Sequence, residues 1–108
     1  MAYCLIQATY TGDAWGTQIA NPQTPLDRLR PSVESLGGTF ESFFYAFGEY
    51  DVVGIAEFPD NVSVDAFSVA AAAGGAVKAI KTTPLMTVFE GMEMTRKAGG
   101  AGYRAPGG

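Results

Sequence analysis

The chain has 108 residues, 47% of them hydrophobic and 17% charged, and a formal net charge of −4, the composition of one domain built around one core. Seven basic residues against eleven acidic ones leave no surplus of cations for phosphate groups, so neither nucleic acid nor an anionic membrane is expected as a partner. Histidine is absent, which removes the Ser/His, Cys/His and His/Asp catalytic pairs and most transition-metal sites, so no metal and no cofactor are expected.

In chain order, Tyr3 to Tyr10 is rich in aliphatic, β-branched and aromatic residues and reads as a strand. It carries the single cysteine, Cys4, whose apolar flanks predict a buried, inert thiol. A lone thiol suits a reducing compartment, so a cytoplasmic location is expected. The first residues show neither a basic n-region nor the apolar run of a signal peptide, and nowhere does the sequence approach the ~20 apolar residues of a membrane span. Thr11, Gly12 and Asp13 break the strand. Pro22, Pro25 and Pro31 then interrupt a helical pattern, which predicts a short helix around Trp15 to Ala20, a loop, and a second helix from Pro25. Leu26, Leu29, Val33 and Leu36 give that second helix one apolar face, and Gly37-Gly38 ends it. Trp15 reads as a core or interface anchor.

Thr39 to Phe47 reads as the second strand, carrying Phe40, Phe43, Phe44, Tyr45 and Phe47. Gly48-Glu49-Tyr50-Asp51 supplies a tight turn into a third strand, Val52 to Phe58. Pro59-Asp60-Asn61 stops that strand and caps a helix from Val62 to Val77, with Val62, Ala66, Phe67, Val69 and Ala70 as packing positions. The run Ala70 to Ala73 followed by Gly74-Gly75 makes its last turns very slim. A fourth strand is predicted from Ile80 to Phe89; Pro84 within it belongs at a sheet edge or a bulge. Residues 1–90 therefore form the folded domain, 91–98 an extension with a short helix from Met92 to Lys97, and 99–108 a flexible Gly-rich tail.

The order β-α-β-β-α-β is the α+β, ferredoxin-like arrangement: a four-stranded antiparallel sheet with its helices on one face. The other face does not turn polar. Phe43 to Phe47 run without a polar break, and Val52, Val53, Ile55 and Ala56 flank only Gly54. Four strands about 4.8 Å apart and about five residues long present roughly 330 Å². Leaving that area wet forgoes on the order of 8 kcal/mol at ~25 cal/mol per Å². Two copies are therefore expected to pack sheet against sheet as a C2 homodimer, with scope for a higher homo-oligomer. With Phe58 anchoring the helix side, alternation puts Val52, Gly54, Ala56 and Phe58 under the helices. It turns Tyr3, Leu5, Gln7 and Thr9, then Glu41, Phe43, Tyr45 and Phe47, then Asp51, Val53, Ile55 and Glu57 toward the partner. A one-residue slip in any strand reverses its assignment.

The stretches CLIQATYT, FGEYDVVGIAEFPDN and KAIKTTPLMT together resemble the GYD-domain family of small uncharacterised proteins, over about residues 3 to 90. Gly48, Tyr50 and Asp51 carry the signature. The resemblance implies a dimeric α/β barrel of ferredoxin-like topology, related to barrels that house ligand sensing, isomerases, cyclases and cofactor-free oxygenases. It implies no established activity.

Candidate ligand-binding residues are Gln7, Tyr45, Tyr50, Asp51 and Glu57, the polar groups of the expected barrel interior and its mouth. Glu57, Asp51 and Tyr45 are also the candidates for acid–base chemistry, because a carboxylate amid Val53, Ile55 and Phe43 would be held partly protonated. The plainer reading of Gly48, Tyr50 and Asp51 is turn chemistry, with the aspartate accepting backbone N–H bonds. The plainer reading of Glu57 is a solvated strand end paired with Lys78 or Lys81. Three functions compete: a small-molecule-binding or sensory module, a cofactor-independent isomerase, cyclase or oxygenase, and a structural subunit of a larger assembly. The first fits the apolar, aromatic composition best.

Overall fold

The β-branched and aromatic run at the start of the chain forms β1 (Ala2–Tyr10), in a computed structural model that describes residues 1–107. The prolines act where expected. Thr11 caps α1 (Gly12–Ala20), accepting from the Ala14 N–H, and Pro25 opens α2 (Pro25–Ser35), which keeps Pro31 inside it. The chain continues through β2 (Thr39–Tyr45), β3 (Val52–Phe58), α3 (Asn61–Ala73), β4 (Val77–Leu85) and α4 (Val88–Gly99). The four strands form one antiparallel sheet in the order β2-β3-β1-β4, the α+β ferredoxin-like βαββαβ arrangement with α1 and α2 sharing the first connection. Pro84 lies in β4, an edge strand, where its missing N–H removes no ladder bond from a sheet interior.

Alternation along β1 and β3 runs as the sequence predicts. Cys4, Ile6, Ala8 and Tyr10 are buried under the helices with Val52, Ala56 and Phe58, whereas Leu5, Gln7, Val53, Ile55 and Glu57 are only half-buried on the other face. Burial pushes the Cys4 thiol up, so it stays protonated and inert at neutral pH. In β2 the expected alternation fails. Phe40 pairs with Ala56 but Ser42 with Ile55, so Glu41 is an extra residue, a bulge, and every side chain after it changes face. Phe43 then pairs with Gly54 and Tyr45 with Val52, which puts both on the helix side; Phe44, opposite Val53, takes the open side. Gly54 is needed for this. A Cβ there would lie 3.0 Å from the Phe43 ring, so its small size makes room for β2 aromatics rather than for α3.

Several element bounds differ from expectation. β2 ends at Tyr45 and leaves Phe47 fully exposed, with Gly48 turning the chain at φ 109°. α3 stops at Ala73 because Gly75, at φ 79°, reverses the chain, so β4 begins at Val77 rather than Ile80. Its buried stripe is Val64, Phe67 and Ser68; Val62 and Val69, expected in the core, are 80% and 62% exposed. α4 is twice as long as predicted, started by a capping box in which Thr87 accepts from the Glu90 N–H and the Glu90 carboxylate accepts from the Thr87 N–H. Residues 101–107 form no helix or strand, and Gly108, the end of the expected tail, lies outside the described residues.

Gly38 explains how tightly the first crossover closes. A Cβ on it would sit 2.7 Å from the Phe58 ring and 2.9 Å from Val33, so α2 reaches the sheet only because that position has no side chain. One core cluster forms here, around Cys4, Ile6, Val33, Ala56, Phe58, Val64 and Phe67. A second gathers Ala8, Tyr10 and Val52 with Ala14 and Trp15 at the other end of the sheet.

Candidate functional site

Between the two core clusters the helix side of the sheet is not filled. The slim turns at the end of α3 present Ala70, Ala71 and Gly74 where longer side chains would close the space, and a cavity of about 240 Å³ remains. Its floor is Ile6, Ala8, Val52 and Ile80 of the sheet; Phe40, Phe43 and Phe67 wall one side, and Leu29 of α2 the other. A sealed void of that size would cost about 6 kcal/mol at ~24 cal/mol per Å³, a large part of a small domain's stability. It is not sealed. A second, outer recess of about 320 Å³ shares Tyr10, Arg28, Gly74 and Ala76 with it and adds Thr11, Asp13, Thr17 and Gln18.

The neck between the two spaces carries the polar chemistry. The Tyr10 ring is 5% exposed and packs edge-on against Trp15, with centroids 5.3 Å apart. Arg28 Nη2 reaches the Tyr10 hydroxyl at 3.4 Å, and Ser32 stands one helical turn further along α2. Burial raises the pKa of Tyr10 above the ordinary phenol value, against a smaller opposing pull from Arg28, so its hydroxyl keeps its proton at neutral pH.

The residues singled out in the sequence do not meet in one place. Gln7 sits on the open face between Val53 and Lys81 of the neighbouring strands. Glu57 shares that face, paired with Tyr3 and Thr39, and the Phe43 ring expected beside it lies on the opposite side. Its carboxylate instead raises the pKa of the Tyr3 phenol, through its charge and a side-chain hydrogen bond. Tyr45, expected in the interior between subunits, stacks under α1 on Trp15, with centroids 6.5 Å apart, because the Glu41 bulge rotated it there. Tyr50 is half-buried in the hairpin loop.

Asp51 performs turn chemistry. Its Oδ2 accepts the Tyr10 N–H at 2.9 Å, its own N–H donates to the Ala8 carbonyl at 2.9 Å, and its carbonyl accepts from the Ala46 N–H at 2.8 Å. The side chain thus extends the β1–β3 ladder by one bond beyond the last backbone pair and fixes Tyr10 at the neck. Sequence reasoning missed Tyr10 and Arg28, since neither stands in a motif; the signal available was the alanine run, which predicts space beneath α3. Among the described residues no three His, Cys, Asp or Glu side chains converge as metal ligands, and no helix is long and apolar enough to cross a membrane.

A family model described as GYD domain matches residues 4–95, which takes in nearly the whole sheet and the first two turns of α4. Solved structures share the fold at low identity. The structure titled TTHA0845 from Thermus thermophilus is 13% identical with a TM-score of 0.53, the match covering 82% of this chain and 96% of that one. The hypothetical protein PHS023 from Pyrococcus horikoshii is 13% identical with a TM-score of 0.50, covering 81% and 92%. A structure titled FFRP-DM1 is likewise 13% identical at 0.50, covering 80% and 100%. No curated protein matches the sequence significantly.

Proposed function

Since the chain belongs to the GYD domain family, whose model spans most of it, we propose that it is a homodimeric small-molecule-binding module whose ligand occupies the cavity under α3. The observation that carries this reading is the cavity itself, an apolar chamber with a few polar groups gathered at one open end, which is the usual make-up of a small-molecule site. The catalytic alternative needs a base at the ligand. The Asp51 carboxylate is taken by the Tyr10 N–H, and Glu57 lies on the other side of the sheet.

The dimer rests on surface that one copy leaves uncovered. The accessible surface is 7326 Å², roughly 1,600 Å² more than the ~5,700 Å² expected for a folded monomer of this mass. The radius of gyration is 17.4 Å, against about 13 Å for a compact chain of this length. The excess has three sources: residues 101–107, all of them exposed; the open sheet face with Leu5, Phe44, Val53, Ile55 and Leu85; and α4, which buries none of its residues and exposes Val88, Phe89, Met92 and Met94. A second copy laid on the sheet, with α4 reaching across, covers the last two.

Titration with toluene, followed through the fluorescence of the single tryptophan, Trp15, tests the reading. Saturable binding at one site per chain is expected, together with its loss in Ala71→Leu, where the longer side chain fills the chamber. Absence of binding, or equal binding by Ala71→Leu, overturns it. Light scattering at micromolar concentration is expected to give twice the chain mass; a monomer there refutes the dimer.

A further inference from the structure

We propose that the cavity takes a small organic monoanion, with the apolar body in the inner chamber and a carboxylate head at the neck held by Arg28 and Tyr10. This deepens the binding reading above and rests on it. The inner chamber is apolar apart from three groups, the Arg28 guanidinium and the hydroxyls of Tyr10 and Ser32, and all three lie on its α2 side or at the end of β1. They are rich in donors. The guanidinium has five N–H donors and no acceptor, and one of them is spent on the Tyr10 oxygen at a long 3.4 Å. Because that oxygen already accepts from Arg28, the phenol proton is left to donate elsewhere. Burial keeps that proton in place at neutral pH.

Arg28 is exposed at the mouth of the chamber, so its free donors face water and are open to a ligand. Arg30 pairs with Asp27 at 3.9 Å, whereas among the described residues no carboxylate lies within ion-pair distance of Arg28. A planar fork of donors beside a phenol donor matches the two oxygens of a carboxylate, which is an acceptor only. The sign and number of charges follow from the surroundings. No acid lines the inner chamber, but Asp13 lines the outer recess and the chain carries a net −4, so a second negative charge pointing outward would be repelled. Size limits the body. A cavity of about 150 Å³ accommodates benzene, so about 240 Å³ suits one ring or a branched chain with a short linker to the head.

The test compares three probes of one shape, 3-phenylpropionate, 3-phenylpropanamide and 3-phenylpropylamine, by Trp15 fluorescence and calorimetry, with toluene as the uncharged reference. The acid is expected to bind at least about tenfold more tightly than the amide, and the amine more weakly than either. Arg28→Met should erase the preference for the acid, with acid and amide compared on that same variant; Tyr10→Phe should weaken the acid by a few-fold. Equal binding of acid and amide, or an equal loss of both in Arg28→Met, overturns the inference. Toluene binding without preference for the acid defeats only the inference, whereas failure of toluene itself defeats the cavity reading.

Discussion

The two faces of this sheet are built from the same strands, alternate residue by residue, and differ in what completes them. On the helix side, Phe58, Cys4 and Val33 lose all contact with solvent within one chain. On the other side, Leu5, Val53 and Ile55 stop at half-burial although their chemistry is as apolar. The first face is covered by the crossover helices except at the cavity; the second is a surface that burial would stabilise and that nothing within the described chain covers. The lesson is that apolar character in a strand reports a need for cover, and topology decides whether the same chain supplies it.

Matched substitutions on neighbouring residues put this contrast at risk. Phe58→Ala removes the largest fully buried side chain, and about 3–5 kcal/mol of stability should go with it, read from urea denaturation. Gly38→Ala pushes a methyl group into Phe58 and Val33 and should cost about 1–3 kcal/mol by overpacking, on the same face. Ile55→Lys, one residue from the buried Ala56 but on the open side, should keep the native circular dichroism while halving the mass in light scattering. Its unfolding midpoint should also stop depending on protein concentration. If Ile55→Lys unfolds the chain as Phe58→Ala does, the faces are equivalent and the contrast is false.

Asp51 ties β1 to the hairpin at the end of the ladder, and a smaller effect is expected there. Asp51→Ala removes the acceptor of the Tyr10 N–H and should cost about 1.5 kcal/mol, since hydrogen bonds to charged groups are worth about 1.5–3. The consequence should be local. Tyr10 loses its anchor, so probe binding in the cavity should weaken more than overall stability falls; the reverse order would mean that Asp51 serves the fold alone.

The strands, their order and the faces of β1 and β3 were legible because alternation and turn residues act over a few neighbours. What was not legible came from events between strands. Glu41 and Ser42, two polar residues in succession, are the local mark of the two-for-one insertion in β2, but only pairing with Ile55 shows which residue is extra. That single residue moved Tyr45 and Phe43 away from the expected interior. α4 is twice its expected length although Thr87 and Glu90 spell out its capping box, because the apolar Val88 and Phe89 continue the pattern of the strand before them. The cavity was half-legible: the alanines that make the space stand in a row, but the Arg28 and Tyr10 side chains that meet at its neck are 18 residues apart.

The smallest effect offers the finest comparison, because two tyrosines of one strand titrate on opposite faces. Both have pKa values raised above the phenol norm, Tyr10 chiefly by burial and Tyr3 chiefly by the Glu57 carboxylate. For a group whose folded pKa is raised, the stabilising contribution is present below the unfolded value, near pH 10, and is lost as pH climbs through the folded one. Alkaline destabilisation should therefore begin above about pH 10 and be milder in Tyr10→Phe. Salt separates the two causes. The charge effect on Tyr3, which lies on the open face, is screened by added salt, whereas the burial of Tyr10 is not. Spectrophotometric titration at a dilution that separates the copies, assigned with Tyr3→Phe and Tyr10→Phe, should show Tyr3 returning toward the ordinary value as sodium chloride rises, and Tyr10 holding its position. At concentrations where the dimer forms, Tyr3 should become insensitive to salt because the second copy shields it and Glu57; a Tyr3 equally salt-sensitive at both concentrations would mean that nothing covers the open face.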